Sequence, residues 1–484
     1  MLKKSPGWAG ILFFFFLKVS GQIPGQVWTF QQCLDHALKN NLGVRLAEIT
    51  TEQRQVDLLQ ARSAYLPDLN ASAFGGLTFG QRLDPFNLRF VNQRTELLNV
   101  GLNGNLLLFS GMQNLHRLKQ ARYALESAAA QAEKARQDLT LNVASLYLQI
   151  IFTEERLKRA RLQMEATESA AERLRKLVES GVRPQGDLLN LEAQLAAEKV
   201  QWVQAENATR LARLNLAQLL MLDNIEVARP EVRPENSGMD ILDRQPDVLY
   251  AAALSLSPGV QAAEWNLKAA QSQMKTARGS FSPTLSLSAS LGTGYSSLTQ
   301  RITDTSITVI PQAPARYYTY GGDSLDIPKS PLVLWDFKRA VTPLGTQMRQ
   351  NFNNQVGVVL SIPILNNLTN HANLKRARLA LTSSALQLEQ QKQQLRNTLY
   401  TAYNDALSAR QSWEAAKTAL RAAREALDYA EVRTESGVQN SVEYIQAKNR
   451  FMQAETDEVV ARFELIFRLY ILHYLTGKPL PIQP

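Results

Sequence analysis

The stretch VESGVRPQGDLLNLEAQL, from Val178 to Leu195, returns 256 positions later as TESGVQNSVEYIQAKNRF, from Thr434. Extended outward, the same offset lays VGLNGNLLLFSGMQNLHRLKQAR (from Val100) over VGVVLSIPILNNLTNHANLKRAR (from Val356) without a gap. Leu118, Lys119, Ala121 and Arg122 fall on Leu374, Lys375, Ala377 and Arg378, while Tyr147 falls on Tyr403 and Gly181 on Gly437. Earlier segments match at an offset of 216, where Gly43, Val44, Ala47 and Glu48 meet Gly259, Val260, Ala263 and Glu264. The change of offset places 40 extra residues in the second copy, between about 285 and 355. The chain is therefore a tandem duplication with one enlarged loop, and whatever one copy folds into, the other must fold into as well.

From Gln113 to Glu179 there is neither proline nor glycine. Leu118, Ala121, Leu125, Ala128, Ala132, Ala135, Leu139 and Leu146 recur at spacings of three and four, a heptad stripe that predicts one very long helix. At 1.5 Å per residue such a helix runs about 100 Å. The second copy keeps the register with Leu374, Ala377, Leu381, Ser384, Leu388 and Leu395. Shorter helical stretches flank each long one, and the SGVRPQG and SGVQNS segments become tight turns where the long helix reverses.

Between the first short helix and the long one the period changes to two. Leu69, Ala71 and Ala73 alternate with Asn70 and Ser72; Val100 and Leu102 alternate with Asn99 and Asn103. The second copy sets Leu285, Leu287, Ala289 and Leu291 against Ser286, Ser288 and Ser290, then Val356, Val358, Leu360 and Ile362 against Gln355, Gly357 and Ser361. These are amphipathic strands long enough to cross a bilayer at a tilt. Four strands per chain cannot close a membrane barrel, and open edges are not tolerated in lipid, so several chains must contribute. Two chains make eight strands with a filled interior and three make twelve with room for a channel; the residues alone leave that choice open.

The N-terminus, MLKKSPGWAGILFFFFLKVSGQ, has two lysines, an apolar run from Trp8 to Leu17 and small residues at Ser20 and Gly21. This is the layout of a secretory signal, cut near Gly21. Beyond it no window approaches 18 apolar residues, so membrane insertion would have to use strands. The expected organisation is then a signal over 1–21, a first repeat over 22–221, a connector over 222–246, a second repeat over 247–475 and a tail over 476–484. The first repeat holds a helix, a β-hairpin over 67–109, a long helix over 111–180 and a helix over 185–221. The second holds a helix, strands over 283–292 and 352–364 around a long external loop over 293–350, a long helix over 366–436 and a helix over 440–475. The long loop carries Tyr295, Tyr317, Tyr318, Tyr320, Trp335 and Phe337, aromatic residues suited to a membrane interface.

Other classes are weakly supported. The net charge of +9 is spread among glutamate- and glutamine-rich stretches with no basic run, against a nucleic-acid partner. His36, His116, His371 and His473 show no metal-ligand spacing, and there is no Walker loop or nucleophile elbow, so no enzyme, metal or cofactor is expected. The single cysteine, Cys33, forms no internal disulfide and is expected to pack in a core. A periplasmic coiled-coil protein of purely structural role would satisfy the heptads, but not the strand pair recurring at the same place in each copy.

With this order of elements the chain resembles the TolC-like outer-membrane efflux family (outer membrane factors) over about residues 28–475. Family-like phrases are Tyr-Leu-Pro-Asp-Leu at Tyr65–Leu69, SIPIL at Ser361 and the two ESGV turns. The resemblance implies a mixed α and β membrane protein in the outer membrane of a Gram-negative bacterium. It implies a homotrimer whose twelve strands form a β-barrel, continued by a periplasmic α-helical barrel. Such a protein is the exit duct of a tripartite efflux pump or type I secretion system. An inner-membrane pump supplies energy, and a periplasmic adaptor (membrane fusion) protein grips the tips, here Ser180, Gly181, Val182, Ser436, Gly437 and Val438. Acidic side chains just after the tips narrow the family's tunnel; the matching positions are Asp187 and Glu443. A second acidic position of the family holds Asn190 and Gln446 here, and a locking arginine is replaced by Gln439, with Arg183 at the equivalent place in the first copy. Glu443 also has a simpler reading: Asn440 as helix N-cap with Glu443 three residues on is a capping box, favourable with no pore at all.

Overall fold

The computed structural model describes residues 27–83, 90–92, 94–228, 238–435 and 441–477, and the side chains of 82, 91, 434, 435, 441–443 and 445 are not described. The predicted signal segment and the tail beyond 477 lie outside these residues. In chain order the first half contains β1 (Val27–Trp28), α1 (Phe30–Asn40), α2 (Leu42–Ser63), β2 (Asp68–Thr78), β3 (Gln81–Leu83), β4 (Phe90–Asn92), β5 (Thr95–Ser110), α3 (Gln113–Glu179) and α4 (Gln185–Leu220). A connector follows with β6 (Glu226–Val227) and a 3-10 turn over Met239–Asp243. The second half contains α5 (Pro246–Leu256), α6 (Pro258–Gly279), β7 (Thr284–Ser296), β8 (Gln300–Ile310), β9 (Ala315–Tyr318), β10 (Ser324–Ile327), β11 (Leu332–Val341), α7 (Leu344–Gln350), β12 (Asn353–Ser361), α8 (Thr369–Glu435) and α9 (Ser441–Leu475). Both α3 and α8 hold 67 residues.

Where the sequence predicts one short helix before each hairpin, the structure has two. The breaks fall at equivalent residues, Asn41 and Ser257. Asn41 closes α1 in an extended conformation, and its Oδ1 accepts from Gly43 N at 2.8 Å and Val44 N at 3.3 Å, so it starts α2 as well. Ser257 precedes Pro258, which disfavours helical geometry before it and suits the first helical position after it. The last strand stops at Ser361 rather than 364 because Pro363 has no N–H to pair.

The chain forms two compact units, each drawing on both repeats. One comprises residues 1–52, 126–265 and 386–484, and among its described residues the only strands are the two-residue β1 and β6, paired in parallel, the rest being mainly helix. Its first buried cluster packs Phe30, Cys33 and Ala37 of α1 against Val143, Tyr147, Ile150 and Ile151 of α3 and Leu216 and Leu220 of α4. The second packs Leu249 and Ala253 of α5 against Leu399, Ala402, Ala406 and Trp413 of α8 and Leu465, Leu469 and Leu472 of α9. Equivalent tyrosines pin the two ends of the connector: Tyr147 Oη donates to Ala228 O, and Tyr403 Oη donates to Leu242 O at 2.9 Å. Cys33 is fully buried, and burial pushes its thiol up to about 12. It therefore stays protonated and unreactive near neutral pH. Alkylation at pH 8 is expected to leave the native protein unlabelled and to label it fully in denaturant; rapid native labelling would mean that α1 undocks.

The other unit, residues 53–125 and 266–385, contains a four-stranded antiparallel sheet in the order β12-β7-β5-β2. Its register sets Val358 beside Leu287 and Leu287 beside Leu106 on one face. On the opposite face Gln355 pairs with Ser290, Ser290 with Asn103, and Asn103 with Asn70. The segment predicted as a long loop is mostly strand. β8 and β11 form a hairpin, with the smaller β9–β10 hairpin between them. Its β-branched runs, RITDTSITVI and LVLW, carry the signal for this. Gln347 of α7, fully buried, anchors the insertion: its Nε2 donates to Ser296 O and Thr342 O at 3.0 and 2.8 Å, and its Oε1 accepts from Ser296 N at 3.0 Å.

Candidate functional site

The tip between α3 and α4 is built by its glycine. Gly181 has φ of +77°; its N–H donates to Val178 O at 2.9 Å, and Val182 N–H donates to Leu177 O at 2.9 Å. Those two bonds close a Schellman motif and satisfy carbonyls that the helix end leaves open. Ser180 Oγ adds a bond to Leu177 O at 3.0 Å, and Val182 projects into solvent. A Cβ on Gly181 would touch nothing within 4 Å, so the requirement there is for the left-handed backbone alone. Gly181→Ala is expected to weaken the tip by about 1 kcal/mol. Faster amide exchange at Val182 and Arg183 is the readout, and unchanged exchange would show that another conformation serves equally well.

Pro184 caps α4 without a side-chain bond, and Asp187 stands in its first turn. Asp187 Oδ2 lies 3.7 Å from Arg183 Nη1, both side chains about half exposed, a weak surface pair. Asn190 is exposed three residues on, on the same face. In the second copy Glu443 falls in the first turn of α9, where a carboxylate is favourable, and Gln446 is exposed three residues further. The expected tip Ser436–Gly437–Val438, the capping residue Asn440 and Gln439 lie outside the described residues, as does the side chain of Glu443. Among the described residues the structure brings Asp187 together with Arg183, and no group of acidic, histidine or cysteine side chains could hold a metal.

Sequence reading missed what zips the tip. Glu154 meets Arg213 at 2.8 Å, Glu168 meets Lys199 at 3.5 Å, and Arg175 meets Glu192 at 2.9 Å. The pairs step along both helices in multiples of seven, so they recur on one edge of the hairpin. The signal was present in the repeat: Glu168, Lys199, Arg175 and Glu192 correspond to Arg424, Glu455, Glu431 and Lys448, each with its sign reversed. Paired reversal is what two facing positions show when they interact.

Over the sheet, small polar side chains line a groove of about 320 Å³ that includes Asp68, Asn70, Asn105, Ser290 and Gln355. The other face exposes Leu69, Val100, Leu102, Val356, Val358 and Leu360. Among the described residues no helix is long and apolar enough to cross a membrane.

Sheet, hairpins and duplication together define a duplicated α and β protein built on one amphipathic four-stranded sheet. The family model for outer membrane efflux proteins matches residues 33–220 and 249–466, and the chain belongs to that family. It is 20% identical over 450 residues to the outer membrane efflux protein BepC of Brucella suis, covering 93% of this chain and 85% of that one. It is 25% identical to the outer membrane protein OprJ of Pseudomonas aeruginosa, covering 90% of this chain and 82% of OprJ. Among solved structures, the outer membrane protein VceC of Vibrio cholerae superposes with a TM-score of 0.69 at 15% identity, covering 93% of this chain and 96% of VceC. The protein is thus a mixed α and β protein of the outer membrane.

Proposed function

We propose that three copies of this chain form the outer-membrane exit duct of a tripartite efflux pump or type I secretion system. The duct passively conducts substrate delivered by an inner-membrane pump through a periplasmic adaptor. The observation that carries this reading is the sheet: one face apolar and exposed, the other small and polar, with β2 and β12 unpaired at its edges. Lipid does not tolerate open edges. Because β12 and β2 run in opposite directions, copies joined edge to edge remain antiparallel throughout. The small side chains on the polar face favour the wider, twelve-stranded closure with an open lumen over eight strands with a filled one. The helices continue this duct into the periplasm, with the Gly181 and Gly437 tips offered to the adaptor and Asp187 and Glu443 set to narrow the entrance.

The test is single-channel recording of the mature protein in planar bilayers. Stepwise, cation-preferring conductance is expected, and membrane-inserted protein that passes no current would overturn the reading.

A further inference from the structure

We propose that a belt of lysines and arginines at the helical end of the sheet docks on anionic phospholipid headgroups of the membrane that the sheet enters. This rests on the membrane-inserted duct above and names the lipid that its residues select. All the residues concerned belong to one unit, 53–125 and 266–385. In it α2 leads into β2, β5 into α3, α6 into β7 and β12 into α8. Three contacts set these four junctions side by side. Asn114 Nδ2 donates to Ala64 O at 3.3 Å, and its repeat counterpart Asn370 donates to Ser280 O at 2.8 Å. Between them the backbones of Gly111 and Gly279 approach so closely that a Cβ on Gly111 would lie 2.5 Å from Gly279 O.

In the ten residues nearest the sheet, α3 carries Arg117, Lys119 and Arg122, and α8 carries Lys375, Arg376 and Arg378. The matching stretch of α6 adds Lys275 and Arg278, and that of α2 adds Arg62. All nine side chains are exposed. The same stretches, with the loops that join them to the strands, hold a single carboxylate, Asp57, and Arg54 pairs with it at 2.9 Å. Asp68, at the start of β2, stands on the polar face of the sheet. Acidic residues return only further along the long helices, from Glu126 in α3 and Glu389 in α8. The positive charge is therefore confined to the end next to the sheet. It acts across helices: after burial, the charges of Lys275 on α6 and Lys119 on α3 hold the His116 imidazole below its usual pKa.

Apolar side chains identify the occupant. Every one of the four junctions exposes at least one of them: Leu66, Met112, Phe281 and Leu365. Leu69 and Leu360, exposed on the apolar face at the same end of the sheet, continue that surface toward the strands. Apolar residues at a boundary, followed within a few turns by cationic ones, suit a bilayer surface: the former enter the acyl boundary and the latter reach lipid phosphates. A belt that served only a water-filled lumen, or a soluble polyanion, would gain nothing from exposed leucine and phenylalanine beside it.

Refolding of the full mature chain into vesicles tests this. Insertion at low salt into mixed phosphatidylcholine and phosphatidylglycerol is expected to exceed insertion into phosphatidylcholine alone by about tenfold. High salt is expected to remove the difference. The variant combining Lys119→Gln, Arg122→Gln, Lys375→Gln and Arg378→Gln is expected to insert equally into both, with helical circular dichroism retained. A control that removes the same charge from exposed positions of the other unit, Arg156→Gln with Lys158→Gln, Arg210→Gln and Arg421→Gln, is expected to keep the preference. Wild type without a preference, a preference that survives in the belt variant, or one lost equally in the control overturns the proposal. So does inorganic phosphate that abolishes the preference where chloride of equal ionic strength does not, since the site would then take free anions. Should the belt variant not fold, the two lipid compositions and the salt dependence of wild type decide. Bilayer recording separates the duct from the belt. Wild type that conducts without a lipid preference sinks the belt and leaves the duct; a preference in inserted protein that passes no current sinks the duct and leaves the belt.

Discussion

Val358→Arg is expected to abolish stable insertion into the membrane while leaving the helical unit folded. Val358 sits mid-strand in β12, is 61% exposed, and shares its face with Leu287 and Leu106. An arginine facing lipid near the bilayer midplane costs about 2–4 kcal/mol, and every copy in the barrel carries it. The control is Gln355→Arg, three residues earlier on the opposite, polar face beside Ser290. That variant is expected to insert normally and to shift ion selectivity toward anions. Partition between membrane and soluble fractions after refolding into liposomes, with circular dichroism at the helix band, separates the two. Normal insertion of Val358→Arg would place the apolar face against protein rather than lipid and remove the barrel from the account.

Neutralising the tip carboxylates is the second large effect. In Asp187→Asn, Glu443→Gln and the double variant, cation selectivity and block by divalent cations are expected to fall. A carboxylate about 4 Å from a bound cation in a water-filled pore contributes on the order of 1 kcal/mol, so each loss weakens block roughly fivefold. The two changes are not expected to be equal. Asp187 already faces Arg183 at 3.7 Å, whereas position 439, the counterpart of Arg183, is glutamine. With glutamine rather than arginine four residues before it in the sequence, Glu443 is expected to give the larger effect on replacement by Gln. The experiment is the bilayer recording above with divalent cation titrated on the side of the tips. Identical currents in all variants would reduce Glu443 to a helix-starting residue and Asp187 to the partner of Arg183, leaving the duct itself untouched.

Much of this architecture was legible from periodicity alone. The proline- and glycine-free run from Gln113 to Glu179 coincides with α3 residue for residue, since nothing in it can stop a helix. The period-two alternation located β2, β5, β7 and β12 because one face of each must be apolar and the other not. Breaks at Asn41 and before Pro258 were written in capping chemistry that helical periodicity overlooks, as apolar spacing continues through them. The insertion was harder to read: β8 and β11 pair with each other over ten positions across the intervening β9–β10 hairpin, a separation that local alternation does not report.

What the sequence determined by itself is the repeated unit, its two long helices, the place of the four strands of the sheet, and the membership of Asp187 and Glu443 in equivalent first turns. Those follow from local propensity and from an offset that any reader can count. Tertiary structure decided how the repeats combine: that both contribute to each unit, that β5 joins β7 to make one sheet, and that Phe463 of the second repeat completes the core of the first. The physical reason is that a duplicated sequence specifies two equal sets of surfaces, and only packing in three dimensions selects which of them meet within a chain and which remain open.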